Sequence, residues 1–542
     1  MSVRKRKIIV CLLLMLLLSI IYILPLFING GIFHNERQDT LFHLSRIIGL
    51  ENVWSSPVNF NVYFNHGTMM NNFYPWLTIY PAYLLYNFTN NLLLSYCLYY
   101  FFVTYTTMLV SFFVMYSIKK NINVALVFSI LYSFSAYRTA DIFQRAALGE
   151  AVSFVFLPII LLGCYELCIG NYKKWYILTI GMTLLVYTHL LSVAMAAVFI
   201  AIVILSTFYF WKEKLLRLYS FFLSTITTVF LSSAFLIPFL EQQLAQDLKM
   251  PTWRELNGRP LGNLVNDILN NDLSSYTIGL LLFFGIIITI LNNHLLIYNY
   301  DKFIFGLGII LLLCTTDIFP WKPLINTFVS NLQFVWRLNA FASLFLAYSF
   351  SLCFKPNKND YKIRSIVSMF LFIIVLHNSS IINLNNKNED TAVFLNSHNI
   401  VEKAKTSNSK DYATLKSVTY PELIENNIFY LNDKIIEPDF YYNDDHYIVQ
   451  LENNSSVNQD LKIPVYRYLG QQVRVNNEKT NSRHSEFGTT EVTVPPGGST
   501  VKIYYKYTNL AILSRYFTGV WVALFIFYLG VVQNKKIKRE SQ

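Results

Sequence analysis

The residues best suited to chemistry lie in short polar stretches between long apolar runs. In the first stretch, Asp39, His43 and Arg46 follow one another at offsets of four and seven, which places all three on one face of a helix. A carboxylate there can accept a proton from an attacking hydroxyl, while the His and Arg can bind a phosphate leaving group. The alternative is a solvated helix in which Asp39 pairs with Arg46. The other positions that we expect to face the membrane are apolar: Leu41, Leu44, Ile47 and Ile48.

A second stretch contains Arg138, Asp141, Arg145 and Glu150. Two arginines beside two acids can clamp an anionic group, because guanidinium pairs well with phosphate. The same four residues are equally consistent with a loop that neutralises its own charge.

Two further ionisable residues stand at the ends of apolar runs. His189 lies at the junction of two runs, and an ionisable group at membrane depth indicates function because it is costly to bury. A hydrogen-bonded structural His in a tight turn fits equally well. Arg337 opens a later run, where a side chain that reaches to the lipid head groups is the simpler interpretation.

The elements that must position these residues are membrane helices. The chain has 542 residues, of which 54% are hydrophobic and only 14% charged, against about 25% charged in soluble proteins. Its apolar runs are long enough to cross roughly 30 Å of hydrocarbon, and such runs must be helical because lipid offers the backbone no other partner. The net charge of +11 comes from basic clusters between the runs, which favours topology signals over nucleic-acid binding.

We predict about twelve spans. Their ranges are 8–28, 93–117, 122–137, 151–169, 175–189, 190–211, 218–240, 274–292, 303–320, 335–354, 365–385 and 508–531. With both termini in the cytoplasm, the inner connections carry the basic residues Lys119, Lys120, Lys173, Lys174, Lys212, Lys214, Arg217, Lys355, Lys358, Lys362 and Arg364, followed by Lys535, Lys536, Lys538 and Arg539. The short, Pro-containing segment 74–88 is predicted to be re-entrant or interfacial.

A polar region with strand-like runs precedes the last span. Alternation over 447–451, 462–468, 491–494 and 500–507, with a Pro-Pro-Gly-Gly turn at 495–498, predicts a small β-sandwich. The predicted fold class is therefore an all-α polytopic membrane protein with a small extracytoplasmic β-rich domain before the last helix. Its parts are a transmembrane domain over 1–385, the β-rich domain over 386–507, and a final helix with a basic cytoplasmic tail over 508–542.

At this point the chain resembles the multi-span glycosyltransferases of the GT-C class, and among them the bacterial YfhO-type membrane proteins. The resemblance rests on short motifs: Asp39 with His43 and Arg46, Tyr74-Pro75, Tyr80-Pro81, Tyr137-Arg138 through Asp141 to Glu150, Phe156-Leu157-Pro158, His189, and Gln333 to Arg337. It implies a sugar on a polyprenyl phosphate as donor, an extracytoplasmic acceptor, and an acid of the first outer loop as the base of an inverting transfer. Carried onto this chain, that base is Asp39.

The first hypothesis is thus a bacterial cell-membrane glycosyltransferase that decorates teichoic acid or another envelope polysaccharide. The β-rich domain would help to hold or present the acceptor, and a purely structural cover is the alternative. A transporter or flippase of lipid-linked saccharides and a non-catalytic membrane scaffold are the alternatives. The sequence contains no phosphate-cradling Gly-rich loop, zinc-ligand spacing or nucleophile elbow, and it leaves dependence on a divalent metal open.

Overall fold

The computed structural model describes residues 3–28, 30–35, 38–251, 256–355, 361–388, 392–407 and 410–540, without the side chains of 28, 361–366 and 535–540. Some of the basic residues that predicted the topology therefore lie outside the described part: Lys358, and the side chains of Lys362, Arg364, Lys535, Lys536, Lys538 and Arg539.

The described chain is mostly helical. Its α-helices are Val3–Ile23, Pro25–Ile28, Thr40–Ile48, Met70–Phe73, Tyr80–Thr89, Leu92–Lys119, Ile122–Ser133, Ala136–Phe143, Leu148–Ser153, Leu157–Cys168, Tyr176–Val186, Leu190–Thr207, Lys214–Leu231, Ser233–Ala245, Leu261–Leu269, Gly279–Leu291, Asn299–Cys314, Asn339–Ser351, Tyr361–Asn388, Ile400–Lys405, Pro421–Glu425 and Asn509–Glu540. Single turns of 3-10 helix also occur, among them Phe328–Leu332 and Val335–Leu338.

Seven helices of the described chain are long and apolar enough to cross a membrane. They are Val3–Phe27, Leu92–Lys119, Leu190–Phe210, Lys214–Leu231, Val335–Phe354, Val367–Asn388 and Asn509–Asn534. Each overlaps one of the spans expected from the sequence, which confirms an apolar helix of sufficient length at these seven places.

The other five expected spans coincide with shorter helices. These are Ile122–Ser133, Leu157–Cys168, Tyr176–Val186, Gly279–Leu291 and Asn299–Cys314. A helix of 12 residues, such as Ile122–Ser133, is about 18 Å long and shorter than the roughly 30 Å of hydrocarbon. The count of about twelve spans therefore stays a prediction.

The helix ends follow ordinary capping chemistry. Helix Leu92–Lys119 begins where the Asn91 side chain accepts a hydrogen bond from the backbone N–H of Leu94 at 3.0 Å, which satisfies one of the unpaired first-turn donors. It ends at Lys120, whose left-handed backbone stops the helix and whose N–H donates to the carbonyl of Tyr116.

The strands form three antiparallel sheets. They are β1 Gly31–His34, β2 Val393–Asn396, β3 Phe429–Leu431, β4 Lys434–Ile436, β5 Asp439–Tyr442, β6 His446–Asn453, β7 Gln459–Tyr466, β8 Gln471–Val475, β9 Glu478–Thr480, β10 Arg483–His484, β11 Thr489–Val494 and β12 Gly497–Tyr505. β1 pairs with β2, with Ile32 opposite Leu395. The two five-stranded sheets have the orders β10-β11-β7-β3-β4 and β5-β6-β12-β8-β9.

These two larger sheets pack face to face as a sandwich, which confirms the predicted β-rich region. The rings of Phe429 in β3 and Phe440 in β5 lie 5.3 Å apart, and the Tyr505 hydroxyl in β12 donates to the carbonyl of Tyr466 in β7. The alternating inward positions are fully buried. They include Tyr447, Val449, Leu461, Ile463, Val492, Val494, Val501 and Ile503.

The chain divides into two compact units, and each is built from three separate segments. Unit 1 comprises Met1–His43, Leu84–Ser220 and Thr252–Ile400, and unit 2 comprises Leu44–Tyr83, Phe221–Pro251 and Val401–Gln542. The compact units therefore differ from the three consecutive domains expected from the sequence, whose boundaries lie at 385 and 507.

Unit 1 is a helical bundle whose centre is helix Asn339–Ser351, in which every residue is buried. A buried ion pair joins two of its other helices, with Lys119 Nζ 2.5 Å from Asp301 Oδ1. The Tyr348 hydroxyl donates to the same carboxylate at 2.7 Å. Lys119 is thus enclosed, although the sequence placed it in a polar connection.

Unit 2 contains the sandwich together with two segments from earlier in the chain. The Asn59 side chain donates to Asp444 Oδ1 at 3.0 Å, and the Gln242 side chain donates to the carbonyl of Leu469 at 3.1 Å. Helix Ser233–Ala245 packs along helix Asn509–Glu540, where the Thr518 hydroxyl accepts a hydrogen bond from the N–H of Ala234 at 2.8 Å.

Candidate active site

The site begins with a tight turn in unit 1 between helices Ala136–Phe143 and Leu148–Ser153. Ala146 has a φ of +56°, a conformation that a residue with a Cβ adopts only at a cost. The N–H of Arg145 donates to the carbonyl of Ala140 and the N–H of Ala147 to that of Asp141, each at 2.9 Å. This turn brings Arg145 back against acids on both helices.

Glu150 is the centre of the charged cluster. Its side chain is 1% exposed, and its Oε2 lies 2.7 Å from Arg145 Nη1 and 3.3 Å from Arg337 Nε. The Tyr137 hydroxyl donates to the other carboxylate oxygen at 2.5 Å. The buried Arg337, the largely enclosed Arg145 and one phenol therefore compensate a carboxylate whose burial alone would be costly.

Asp141 is the second buried acid. Its Oδ1 lies 3.4 Å from Arg145 Nη1, and its side chain is completely enclosed. Among the described residues its Oδ2 has no hydrogen-bond partner. The unpartnered oxygen is the kind of group that carries a proton in a buried site.

Asp39 is the acid of this cluster that reaches solvent. Its side chain is 44% exposed, and its Oδ2 lies 3.9 Å from Arg145 Nε. Its backbone N–H donates to the carbonyl of Arg145 at 2.9 Å, and its own carbonyl accepts from the N–H of His43 at 3.0 Å. Asp39 therefore precedes helix Thr40–Ile48 and is anchored to the Arg145 turn through its backbone.

A stack of aromatic rings lies beside Arg145. The Trp336 ring is stacked between Phe334 at 4.7 Å and Tyr276 at 4.3 Å, and the Arg145 guanidinium lies 5.0 Å from the Trp336 ring centroid. Such cation–π contact adds about 0.5–2 kcal/mol. Gln333, which leads into this segment, has a φ of +62°, so strained backbone occurs in both segments that supply the arginines.

The environments of the two buried acids separate their protonation states. Burial raises the pKa of Asp141 well above its usual range, and the charge of Glu150 raises it further, although Arg145 and Arg337 oppose this. Burial also disfavours the charge on Glu150, but the two arginines and His189 more than offset it and lower the pKa of Glu150 to about 2. The two buried acids therefore have pKa values shifted in opposite directions, with the negative charge favoured on Glu150.

The structure thus brings together five of the predicted site residues: Asp39, Asp141, Arg145, Glu150 and Arg337. The four residues from 138 to 150 lie on two short helices and their connecting turn. Arg138, Asp141 and Glu150 are buried, and Arg145 is 11% exposed and pairs with both acids. Arg337 pairs with Glu150 inside the unit and is 4% exposed. The simpler interpretation, in which it reaches to lipid head groups, is therefore wrong.

The expected exposed face of the first stretch is also wrong. His43 is 3% exposed and Arg46 is fully buried. Leu44, Ile47 and Ile48, which the sequence placed toward the membrane, are also buried. Arg46 belongs to unit 2, where its guanidinium donates to the carbonyl of Pro75 at 2.6 Å and lies 4.7 Å from the Tyr74 ring centroid. Spacing along a helix identifies a shared face but does not say what covers it.

Arg138 lies elsewhere in unit 1, whereas His189 lies beside the cluster: a Cβ placed on Gly149 would be 3.3 Å from His189 Cδ2. The fully buried Arg138 donates to the carbonyl of Ser133 and to the Thr104 hydroxyl, both at 3.1 Å. His189 connects helices Tyr176–Val186 and Leu190–Thr207, as the sequence predicted, and its Nδ1 lies 2.8 Å from the Ser192 hydroxyl. A role in substrate binding stays a prediction for these two residues, and likewise for His43 and Arg46.

The sequence did not single out Tyr137, Trp336 or Tyr276 as site residues. Tyr137 and Asp141 stand four residues apart on one helix, and Trp336 directly precedes Arg337. An aromatic residue next to a charged residue at the end of an apolar run was the available signal for the first two. Nothing in the sequence connects Tyr276 with the cluster.

Among the described residues, no group of three or more His, Cys, Asp or Glu side chains is arranged to hold a metal ion.

Comparison of the chain with protein-family models, with curated proteins and with solved structures found no match. The charged cluster is therefore the feature of the protein that points to a function.

Proposed function

We propose that this protein is a multi-pass membrane glycosyltransferase that moves a sugar from a polyprenyl phosphate to an extracytoplasmic polysaccharide, such as a teichoic acid. The observation that supports this proposal is the position of Asp39. It is a solvent-reaching carboxylate beside Arg145, and Arg145 also pairs with the buried acids Glu150 and Asp141. A base next to a cation is what displacement of a phosphate by a hydroxyl requires.

In the proposed reaction, Asp39 accepts the proton of the acceptor hydroxyl while the hydroxyl oxygen attacks the anomeric carbon of the sugar. The bond from that carbon to the phosphate oxygen breaks, and polyprenyl phosphate leaves with the electron pair. Asp39 loses its negative charge as the leaving phosphate gains one, so the total charge beside Arg145 stays constant. Arg145 then stabilises the phosphate, for which the planar guanidinium is well suited.

The test is an Asp39→Asn substitution in an expressing strain, with the sugar content of hydrolysed envelope polymers compared between variant and parent at equal protein level. Asn keeps the shape of the side chain and removes the base, so we expect decoration to fall by about 100-fold or more. Asp272→Asn is the matched control, because Asp272 is a partly exposed acid of unit 1 that pairs with Lys387 at 3.0 Å.

Undiminished decoration in the Asp39→Asn strain would exclude this residue as the base. A transporter of lipid-linked saccharides or a membrane scaffold would then be the better description, since neither needs a proton acceptor at this position.

A further inference from the structure

A cluster of aromatic rings in unit 2 is not explained by the proposed chemistry. The rings are those of Trp54, Trp76, Tyr80 and Tyr83, and together with the neighbouring Leu77 we call them the aromatic patch. The Trp54 ring packs edge-on against Trp76 and Tyr80, with distances between ring centroids of 5.0 Å and 5.7 Å. The ring centroids of Tyr80 and Tyr83 are 5.6 Å apart. Yet Trp54 is 56% exposed and Leu77 41% exposed. The patch thus presents apolar surface outward while its rings support one another.

The backbone of the patch is fastened to the candidate span Asn509–Asn534 of the same unit. Arg515 Nη1 donates to the carbonyl of Trp54 at 3.1 Å, and the guanidinium carbon lies 3.7 Å from the Tyr507 ring centroid. The Tyr507 hydroxyl in turn donates to the carbonyl of Val53 at 2.6 Å. These contacts place Trp54 beside Arg515 of the helix Asn509–Glu540.

Arg515 lies close to the N-terminal end of this span. Arg515 follows the first helical residue, Asn509, by roughly 9 Å of helix at 1.5 Å per residue. The helix surface near Arg515 is apolar and open, with Leu513 63%, Tyr516 72% and Phe517 41% exposed. An apolar surface followed within two turns by Arg and several aromatic rings is typical of the boundary between hydrocarbon and head groups.

We propose that the aromatic patch lies in the head-group layer of the bilayer and anchors this end of the last span to the membrane surface. Trp and Tyr suit that layer because their rings are apolar while their N–H and O–H groups bond with water and head groups. Arg515 lies where its guanidinium can pair with lipid phosphate. Helix Tyr80–Thr89, with 10 residues, is too short to span, which fits the interfacial alternative for 74–88 and disfavours a crossing.

Depth-dependent quenching of Trp54 fluorescence tests this. The full-length protein is reconstituted into phosphatidylcholine vesicles whose acyl chains are brominated either near the head group or near the chain end. The emission lost in Trp54→Phe gives the signal of that residue. We expect bromines near the head group to quench this signal about twofold more strongly than those near the chain end. Aqueous iodide should quench it weakly.

Two further variants keep the test decisive. Trp76→Phe reports on the same patch if the first variant folds poorly, and it should show the same preference for shallow bromines. Trp321→Phe is the control, because this ring is 7% exposed and its N–H donates to the carbonyl of Cys314. The quenching of Trp321 emission then gives the reference value for a ring that is packed inside the protein.

Strong iodide quenching of Trp54 and Trp76 without bromine quenching would overturn the proposal, because the patch would then face water and fit a polysaccharide or protein partner. The outcome is independent of whether Asp39 is a catalytic base.

Discussion

Asp141 and Glu150 show how two acids within reach of the same arginine acquire different charges. Arg145 and Tyr137 donate hydrogen bonds to the two oxygens of Glu150, and Arg337 forms an ion pair with it. Asp141 has one oxygen at the longer distance of 3.4 Å from Arg145 and the other without a hydrogen-bond partner among the described residues. The pKa is therefore lowered for the better hydrogen-bonded acid and raised for the other.

This difference predicts the effect of Asp141→Asn on stability. Because the pKa of Asp141 is raised in the folded protein, the folded state holds a proton that the unfolded chain releases above about pH 4. The stability of the parent should therefore fall as pH rises above that value, by up to about 1.4 kcal/mol per pH unit, until the pH reaches the folded pKa. Asn cannot ionise, so the stability of the variant relative to the parent should increase as pH rises.

Thermal unfolding in detergent between about pH 5 and pH 8 measures this difference. Asp272→Asn serves again as the control. Hydrogen bonds from Ser274 and Lys387 outweigh partial burial and lower the pKa of Asp272, so its contribution is constant over this range and is lost only in acid. A difference between Asp141→Asn and the parent that does not change with pH would mean that Asp141 is ionised in the folded state.

Residue identity and spacing predicted much of this cluster, but not its enclosure. The stretch from 138 to 150 and Arg337 were recognisable as candidates because charge at the end of an apolar run is unusual. That Arg337 bonds with Glu150, and that Arg46 does not reach solvent, depends on packing between segments far apart in the chain. Periodicity within one segment contains no information about such packing.

At the scale of elements, the short helices pack more closely than the sequence indicated. A Cβ placed on Gly163 in helix Leu157–Cys168 would lie 2.7 Å from Leu178 Cα and 2.8 Å from Leu178 N, in helix Tyr176–Val186. The two backbones therefore nearly touch, as they do where small residues line the interfaces of membrane helices.

Gly163→Ala should separate these two helices and destabilise unit 1 by about 1–3 kcal/mol, because the contact is with backbone that cannot rotate away. Gly306→Ala is the matched control. It lies inside helix Asn299–Cys314 with open space around the new methyl group, and replacing a helical Gly by Ala adds up to about 1 kcal/mol of stability. Melting temperatures that fall by the same amount in both variants would contradict the proposed close packing.

The strands were better predicted than the short helices, for a physical reason. Tyr447 and Val449 are fully buried while Gln450 is exposed, and the two-residue period of a strand makes such alternation visible over a few positions. A run that is apolar all round looks the same whether it is one span or two packed pieces. The break between Leu148–Ser153 and Leu157–Cys168 therefore went unpredicted within the expected span 151–169.

At the scale of the whole molecule, the interleaved segments of unit 2 limit what a deletion can test. Asn59 and Gln242 bond with the β-rich region, so removing 386–507 would leave both segments of unit 2 without those partners. A role of that region in holding an acceptor is better tested by surface substitutions than by its excision.

The membrane topology of the chain gives the last prediction. Basic residues such as Lys173 and Lys174 are expected on the cytoplasmic side and the β-rich region outside, because positively charged connections are retained in the cytoplasm. In intact cells, a membrane-impermeant maleimide should therefore label Val457→Cys, a position that is 61% exposed. It should label Lys173→Cys only after the membrane is permeabilised. Each variant is compared with the parent, whose six cysteines are buried or partly buried, to subtract background.

Labelling of Lys173→Cys but not Val457→Cys in intact cells would show that the orientation is the opposite of the expected one. The solvent-reaching Asp39 would then have to act on a cytoplasmic acceptor, since its side of the membrane is assigned by the same charge rule.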